Sequence, residues 1–224
     1  MNLFEKIKAT KEIFKQIVSV SDPGYVFVAW TGGKDSTVTL RLWKQFLEEK
    51  RYNGKLRAIN LDTGLKFPEI TKFRDALAAD WAIDLHAVSP DIEIKNYPIA
   101  EDKVKCCNDL KISPLRKSIQ VLKVNALVTG IRRDENPSRI KREFIETKHN
   151  PSYIQANPIL HWTEMDIWSF IIQENMPYCE LYDQGYTSLG CMPCTTRPSG
   201  QGERSGRDRD KENSLDKLRS LGYF

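Results

Sequence analysis

Residues 31–36 read Thr-Gly-Gly-Lys-Asp-Ser and follow an apolar run, Val26-Phe-Val-Ala-Trp30, rich in the β-branched and aromatic side chains that suit a buried strand. That order of parts builds a phosphate cradle. Gly32 and Gly33 can take backbone angles denied to other residues, so successive N–H groups can turn inward toward an anion. Ser36 is expected to open a helix over about residues 37–48, whose N-terminal dipole favours the same negative charge. Lys34 adds a cation, and Asp35 an oxygen able to hold a magnesium ion that bridges phosphates. The spacings Gly-x-x-x-x-Gly-Lys and Gly-x-Gly-x-x-Gly are both missing here, so the common nucleoside triphosphatase loop and the dinucleotide loop are poor matches.

The cysteines give a second chemical signal. Cys106 and Cys107 are adjacent, and Cys191 and Cys194 form a Cys-x-x-Cys preceded by Gly190 and containing Pro193. Four thiolates in two close sets suit tetrahedral zinc or an iron–sulfur cluster. Adjacent cysteines converge poorly on one zinc ion because their side chains diverge, whereas a cubane offers each a different iron, so a [4Fe-4S] cluster is the expectation. The fifth, Cys179, stands alone behind Pro177-Tyr178 and reads as a packed residue.

The elements that must position these residues alternate in type. Residues 3–18 carry Phe4, Ile7, Ile13, Phe14 and Ile17 at near-helical spacing, which predicts an amphipathic helix laid on a sheet. Strands are predicted at residues 25–30, 56–61, 85–88 and 126–129, with helices between them. This pattern implies an α/β fold with a Rossmann-like, doubly wound, mainly parallel sheet, whose ligands sit at the carboxyl ends of the strands. The phosphate loop, Asp62-Thr63-Gly64, and Gly130-Ile-Arg-Arg-Asp-Glu135 all fall at such ends.

With Thr in place of the usual first Ser, the Gly-Gly-Lys-Asp-Ser loop resembles the PP-loop family, the adenine nucleotide alpha hydrolases. The cysteine quartet narrows the resemblance to the phosphoadenosine phosphosulfate reductase family. Its adenylylsulfate reductases are similar in carrying a Cys-Cys pair and a Cys-x-x-Cys about eighty residues apart that hold a [4Fe-4S] cluster. Thr129-Gly-Ile-Arg-Arg-Asp-Glu-Asn-Pro-Ser-Arg139 looks like the family's nucleotide and oxyanion loop, and Pro158-Ile-Leu-His-Trp-Thr-Glu-Met-Asp-Ile-Trp168 like the turn and helix that follow. Two departures set the expected branch. The reductases' C-terminal Glu-Cys-Gly-Leu-His segment has no counterpart, since no cysteine follows Cys194 in these 224 residues. The pyrophosphate loop, lost in many reductases, is retained. The resemblance therefore implies an ATP pyrophosphatase like those of DNA phosphorothioation, in which ATP adenylylates a DNA phosphate and sulfur from a cysteine desulfurase displaces AMP. The alternatives are an adenylylsulfate or phosphoadenylylsulfate reductase, and a non-catalytic ATP-binding scaffold that recruits a sulfur donor.

In that scheme Thr31, Gly32, Gly33 and Ser36 contact phosphate oxygens, Lys34 neutralises the departing pyrophosphate, and Asp35 binds Mg2+. Asp62 holds a ribose hydroxyl or the metal, or caps its turn. Gly130 sits against the nucleotide. Two of Arg132, Arg133 and Arg139 are expected to grip the α or acceptor phosphate, the remaining one forming an ion pair with Asp134 or Glu135. His161, between Leu160 and Trp162, reads as packed.

Composition is compatible with all of this. A chain of 224 residues, 40% hydrophobic, can bury one good core, and its net charge of +4 permits a nucleic-acid partner without arguing for one. The absence of an apolar run of about eighteen residues, and of a signal-like N-terminal core, leads to the expectation of a cytoplasmic protein with no membrane partner. Homo-oligomer formation stays open. A PP-loop domain including the cluster segments is expected over residues 1–198. Residues 199–224, rich in Arg204, Arg207, Arg209 and Lys211, are expected to be a charged tail or a lid.

Overall fold

The apolar run ahead of the glycine pair forms β1 (Val26–Ala29), and all four of its residues are buried. A strand buried on both faces needs helices on each side, and the chain supplies them in alternation. In this computed structural model, which describes residues 1–223, α1 (Leu3–Val20) precedes β1 and α2 (Lys34–Glu49) follows it. Then come β2 (Arg57–Leu61), α3 (Pro68–Asp80) and β3 (Asp84–Val88). Next are α4 (Lys103–Cys107), a π turn at Asn108–Ile112, α5 (Ser113–Val121) and β4 (Ala126–Val128). β5 (Ile145–Lys148), β6 (Tyr153–Ala156) and α6 (Glu164–Gln173) follow, and α7 (Arg209–Asn213) and α8 (Leu215–Ser220) end the described chain.

The sheet order is β3-β2-β1-β4-β6-β5, parallel throughout except for the β5–β6 pair. Strand order reverses between β1 and β4, so the loops leaving these two neighbours diverge and open a crevice at their carboxyl ends. The doubly wound, mainly parallel sheet is thus present, and the four predicted strands lie within a residue of their predicted ends. The β5–β6 hairpin is an addition. Its strands alternate short polar and apolar residues beside Asn150 and Pro151, a pattern that reads as loop without its sheet partner.

Helix α2 starts three residues earlier than predicted. Gly33 takes the extended cap conformation, so Lys34 and Asp35 fall in the first turn of the helix instead of in a loop before it. On α1, Phe14 and Ile17 pack on the core as expected, while Phe4 is 76% exposed because the first turn projects past the packed face. Its neighbours hold it down elsewhere: Trp162 donates its ring N–H to Thr10 Oγ1 (3.1 Å), and Thr10 donates to the Pro158 carbonyl (3.0 Å). Among the described residues no helix is long and apolar enough to cross a membrane.

Phe14, Trp43 and Phe46 form the aromatic centre between α1 and α2, with Trp43 stacked on Phe46 at 5.5 Å between ring centroids. This contact fixes α2, and with it the phosphate loop at its head. Trp43→Ala is therefore expected to lower unfolding free energy by about 3–5 kcal/mol, read as a fall in the urea midpoint with an unchanged slope.

Candidate active site

The loop leaving β1 is held by its own hydroxyls. Gly32 has φ +84°, and a Cβ there would lie 2.9 Å from Ile70 Cγ2, so glycine is required twice over. Thr31 N–H donates to Ser36 Oγ (3.2 Å), Ser36 Oγ donates to the Gly33 carbonyl (2.9 Å), and the Thr31 and Ser36 hydroxyls lie 3.0 Å apart. The Lys34 N–H donates to the Tyr182 hydroxyl (2.9 Å). Gly130, at the end of β4, lets the second loop approach: a Cβ there would meet Ser36 Cα and N at 2.8 Å.

Two buried cations face each other across this crevice. Lys34 is 1% exposed; its Nζ donates to the Thr187 carbonyl (3.0 Å) and to Glu203, with Asp35 and Glu164 oxygens each 3.6 Å away. Burial works against its charge, but Asp35, Tyr182 and Glu203 outweigh burial and raise its pKa. Arg132 is fully buried, donating Nε to Asp35 (2.6 Å), one Nη to Asp134 (2.5 Å) and the other to Glu203. Burial also works against the Asp35 carboxylate, yet Lys34 and Arg132 hold its pKa below the usual range.

The expected arginine set divides. Arg139 pairs with Glu135 and lines the crevice, where burial and the nearby Arg204 push its pKa down to about 9. Arg133 is the correction: it turns away, donating to the Arg142 carbonyl (2.8 Å) and lying over the Phe144 ring, because its backbone N–H is tied to the Leu160 carbonyl on the far side of the loop. Arg132 is not a free phosphate ligand either, since carboxylates take all three of its nitrogens. Asp62 accepts from the Gly64 N–H (3.1 Å) and pairs with Arg74 (2.9 Å), which is the turn-capping role. His161 is packed edge-on against Phe144, and Cys179, 1% exposed, lies among Ile70 and Leu181; both match expectation.

Residues 199–223 fold back over the site. Arg204 makes a two-point ion pair with Glu212 and a third contact with Glu135 (3.2 Å). Arg207 lines the same crevice with Nε and one Nη buried and unpartnered, in a space that Gly190 leaves open for it. The enclosed crevice measures about 110 Å³, below the roughly 300 Å³ at which small-molecule pockets begin, so a nucleotide requires movement of this cover. Asp35, Glu135 and Glu203 bring one oxygen each within 4.8 Å of one another, a carboxylate trio beside the loop. Glu203 and Tyr182 were the functional candidates that sequence reasoning left unassigned; Arg207 carried a signal, as one of the arginines of the expected tail or lid.

Beside this crevice the four expected thiols meet. Cys106 and Cys107 come from the last turn of α4, Cys191 and Cys194 from the segment around a short 3-10 turn, and all four line one chamber with Leu65, Leu110, Lys111 and Lys211. Among the described residues no three cysteine sulfurs fall in a group within 4.8 Å of one another. Zn–S bonds of about 2.3 Å in a tetrahedron require sulfurs roughly 3.8 Å apart, so the thiols are spread wider than one zinc ion demands. Lys211 is 1% exposed and lines the chamber, its Nζ without a hydrogen-bond acceptor and lying over the Tyr223 ring at 5.7 Å from the centroid. Burial raises the pKa of the Cys191 thiol, but Lys111 and Lys66, with the Thr63 hydroxyl, outweigh it and hold that pKa at about 6. The donor set fits an anionic thiolate-ligated cluster.

Residues 25–197 match the family profile of the phosphoadenosine phosphosulfate reductase domain. The adenosine 5'-phosphosulfate reductase of Oceanobacillus iheyensis is 32% identical over 156 residues, covering 66% of this chain and 64% of that protein. The enzyme of the same name from Pseudomonas aeruginosa is 30% identical over 201 residues, 81% of this chain and 71% of its own length. The chain therefore spans about two thirds of the length of these curated relatives. Among solved structures, the phosphoadenylyl-sulfate reductase of Candida auris superposes with TM-score 0.68 at 21% identity, over 87% of this chain and 96% of that one. The FMN adenylyltransferase of Candida glabrata gives 0.73 at 23% identity, over 98% and 83%. The U34-tRNA thiolase of Methanococcus maripaludis, solved with its [4Fe-4S] cluster, gives 0.58 at 17%, over 96% and 74%. These structural likenesses establish the shared fold.

Gly130→Ala tests the closeness of the two loops. Forcing backbone apart typically costs about 1–3 kcal/mol, so this variant should lose stability on that scale and weaken ATP binding in calorimetric titration. Gly200→Ala, where an added Cβ meets nothing within 4 Å, should change neither.

Proposed function

This chain belongs to the phosphoadenosine phosphosulfate reductase domain family, and on that premise we propose that it is an adenine-nucleotide enzyme of sulfur chemistry that breaks ATP between its α and β phosphates. The observation that supports this most directly is that the loop already holds an anion: the Glu203 carboxylate sits on Lys34 and Arg132. A site that attracts an internal carboxylate to two buried cations is chemically matched to the terminal phosphates of a nucleotide.

In this reading the helix α2 N-terminus and Lys34 stabilise the charge that grows on pyrophosphate as it leaves. An acceptor oxygen attacks the α phosphorus, the bond to the bridging oxygen breaks, and adenylylated acceptor and pyrophosphate result. Asp35 and Glu135 would hold Mg2+, and Arg139 and Arg207, which line the crevice, would meet the α or acceptor phosphate. Cys106, Cys107, Cys191 and Cys194 would hold a [4Fe-4S] cluster, which when bound supplies a site for sulfur and for charge beside the nucleotide. A cysteine desulfurase is the proposed sulfur donor.

A second reading, reduction of adenylylsulfate or phosphoadenylylsulfate, is favoured by the names of the relatives and has more behind it than DNA phosphorothioation, the acceptor expected from sequence. In it a thiolate attacks sulfur and releases the nucleotide. Four of the five cysteines line one chamber and Cys179 is buried among apolar side chains, so that nucleophile would come from outside these residues.

Iron and acid-labile sulfide analysis of anaerobically purified protein should find about four of each per chain if the thiols hold a cubane. Serine at Cys106, Cys107, Cys191 or Cys194 should lower both, and Cys179→Ser should lower neither; stoichiometric zinc without sulfide would refute the cluster. Chromatography of α-labelled ATP should reveal AMP or an AMP-linked acceptor together with pyrophosphate. Lys34→Ala should cut this turnover on the order of 10²–10³ while iron content stays intact. Labelled ADP as the first product would exclude the ATP reading, and sulfite made from adenylylsulfate in the presence of a thiol donor would put the reductase reading first.

A further inference from the structure

Glu203 occupies an unusual position for a side chain from a surface segment. Its carboxylate is 8% exposed, one oxygen on Lys34 Nζ and the other on Arg132 Nη. Its own carbonyl accepts from Thr187 Oγ1 (2.7 Å), while Lys34 Nζ donates to the Thr187 carbonyl (3.0 Å). The strap of residues 199–208 is thereby closed over the loop at one point. It is fastened more firmly behind that point, where Thr196 N–H donates to the Gly206 carbonyl (2.8 Å), Asp208 N–H to the Cys194 carbonyl (3.2 Å), and Arg204 pairs with Glu212. Ahead of it, Gly200 and Gly202 are exposed, and their carbonyls accept from the Ser205 hydroxyl (3.0 Å) and the Ser205 N–H (3.1 Å) within the strap itself.

Carboxylates already answer Lys34 and Arg132 without substrate. Lys34 and Arg132 face Asp35, Asp134, Glu164 and Glu203. Burial, and then the Glu203 carboxylate, raise the pKa of Glu164, and Asp134 is raised by burial with Glu203 and Asp35 adding to it. A pyrophosphate group brought to Lys34 with Glu203 in place would set several negative charges directly against that carboxylate.

We propose that Glu203 determines which nucleotides this site accepts: it stands in the position of the terminal phosphates, so a nucleotide bearing pyrophosphate binds by expelling Glu203 and lifting the strap, whereas an adenylate without pyrophosphate leaves Glu203 on its two cations. The proposal rests on the adenine-nucleotide reading above. The exchange is favourable when it occurs because a polyanion replaces a single carboxylate on the same two buried cations. It is costly otherwise, since lifting the strap with no replacement would leave Lys34 and Arg132 short of an anion.

Glu203→Gln keeps the side-chain shape and removes the charge. Calorimetric titration of wild type and variant with inorganic pyrophosphate, ATP and AMP should give binding of pyrophosphate and ATP tighter by about tenfold or more in the variant, with AMP affinity unchanged. On the wild-type protein, pyrophosphate should accelerate trypsin cleavage after Arg204, Arg207 or Arg209, and AMP should not. Wild type that binds pyrophosphate with an affinity equal to or higher than the variant's, or a strap whose cleavage rate pyrophosphate leaves unchanged, overturns this inference alone. Failure of both proteins to bind ATP and pyrophosphate overturns the nucleotide reading and the inference together.

Discussion

Two cations buried at the point where strand order reverses set the terms for the whole site. Lys34 rides on the first turn of α2 and Arg132 on the loop after β4, and both are almost completely withdrawn from water. A buried charge without a partner is expensive, and breaking a buried pair from one side costs about 3–5 kcal/mol. The carboxylates that answer them come from four separate segments: Asp35 beside Lys34, Asp134 beside Arg132, Glu164 at the head of α6, and Glu203 on the C-terminal strap. Satisfying the two cations therefore gathers four parts of the chain around one crevice.

The strap also joins the crevice to the cysteine chamber. Within residues 203–208, Glu203 reaches the phosphate loop, Arg207 packs against Gly190 next to Cys191, and Asp208 N–H bonds the Cys194 carbonyl. From the other side, Thr63 and Lys66, on the loop after β2, meet Cys191 through a 3.4 Å hydroxyl–sulfur contact and an antiparallel bridge. The chamber is thus built from the carboxyl end of β2, the α4 turn and the Cys-x-x-Cys segment.

How much of this was legible in the sequence depended on whether a feature is local. The phosphate loop was readable because strand, glycine pair and helix are consecutive, and their hydrogen bonds close within six residues. The cysteine quartet was readable by spacing alone. Glu203 and Tyr182 were not, because an acidic residue or a tyrosine in a polar stretch carries no periodicity, and their importance comes from meeting Lys34 across about 150 residues of chain or more. Arg133 misled for the complementary reason: adjacent arginines look equivalent in sequence, but successive residues of an extended loop point to opposite sides, and Leu160 anchors this one away from the crevice. The β5–β6 hairpin escaped notice since its strands are short and half polar, and only pairing beside β4 makes them strands.

The retained loop and the reductase-like surroundings are physically compatible because the loop's geometry does not depend on what fills it. The hydrogen bonds that shape the backbone of residues 31–36 run among Thr31, Gly33 and Ser36 and to Tyr182; only the Lys34 side chain reaches the strap. Gly32 is fixed by its contact with Ile70 and by its positive φ, again independently of Glu203. Lifting the strap would consequently expose a cradle already in its working shape, at the cost of two ion pairs that an incoming anion replaces. A neutral side chain of similar length at position 34 would leave Asp35, Glu164 and Glu203 with one buried cation fewer to answer.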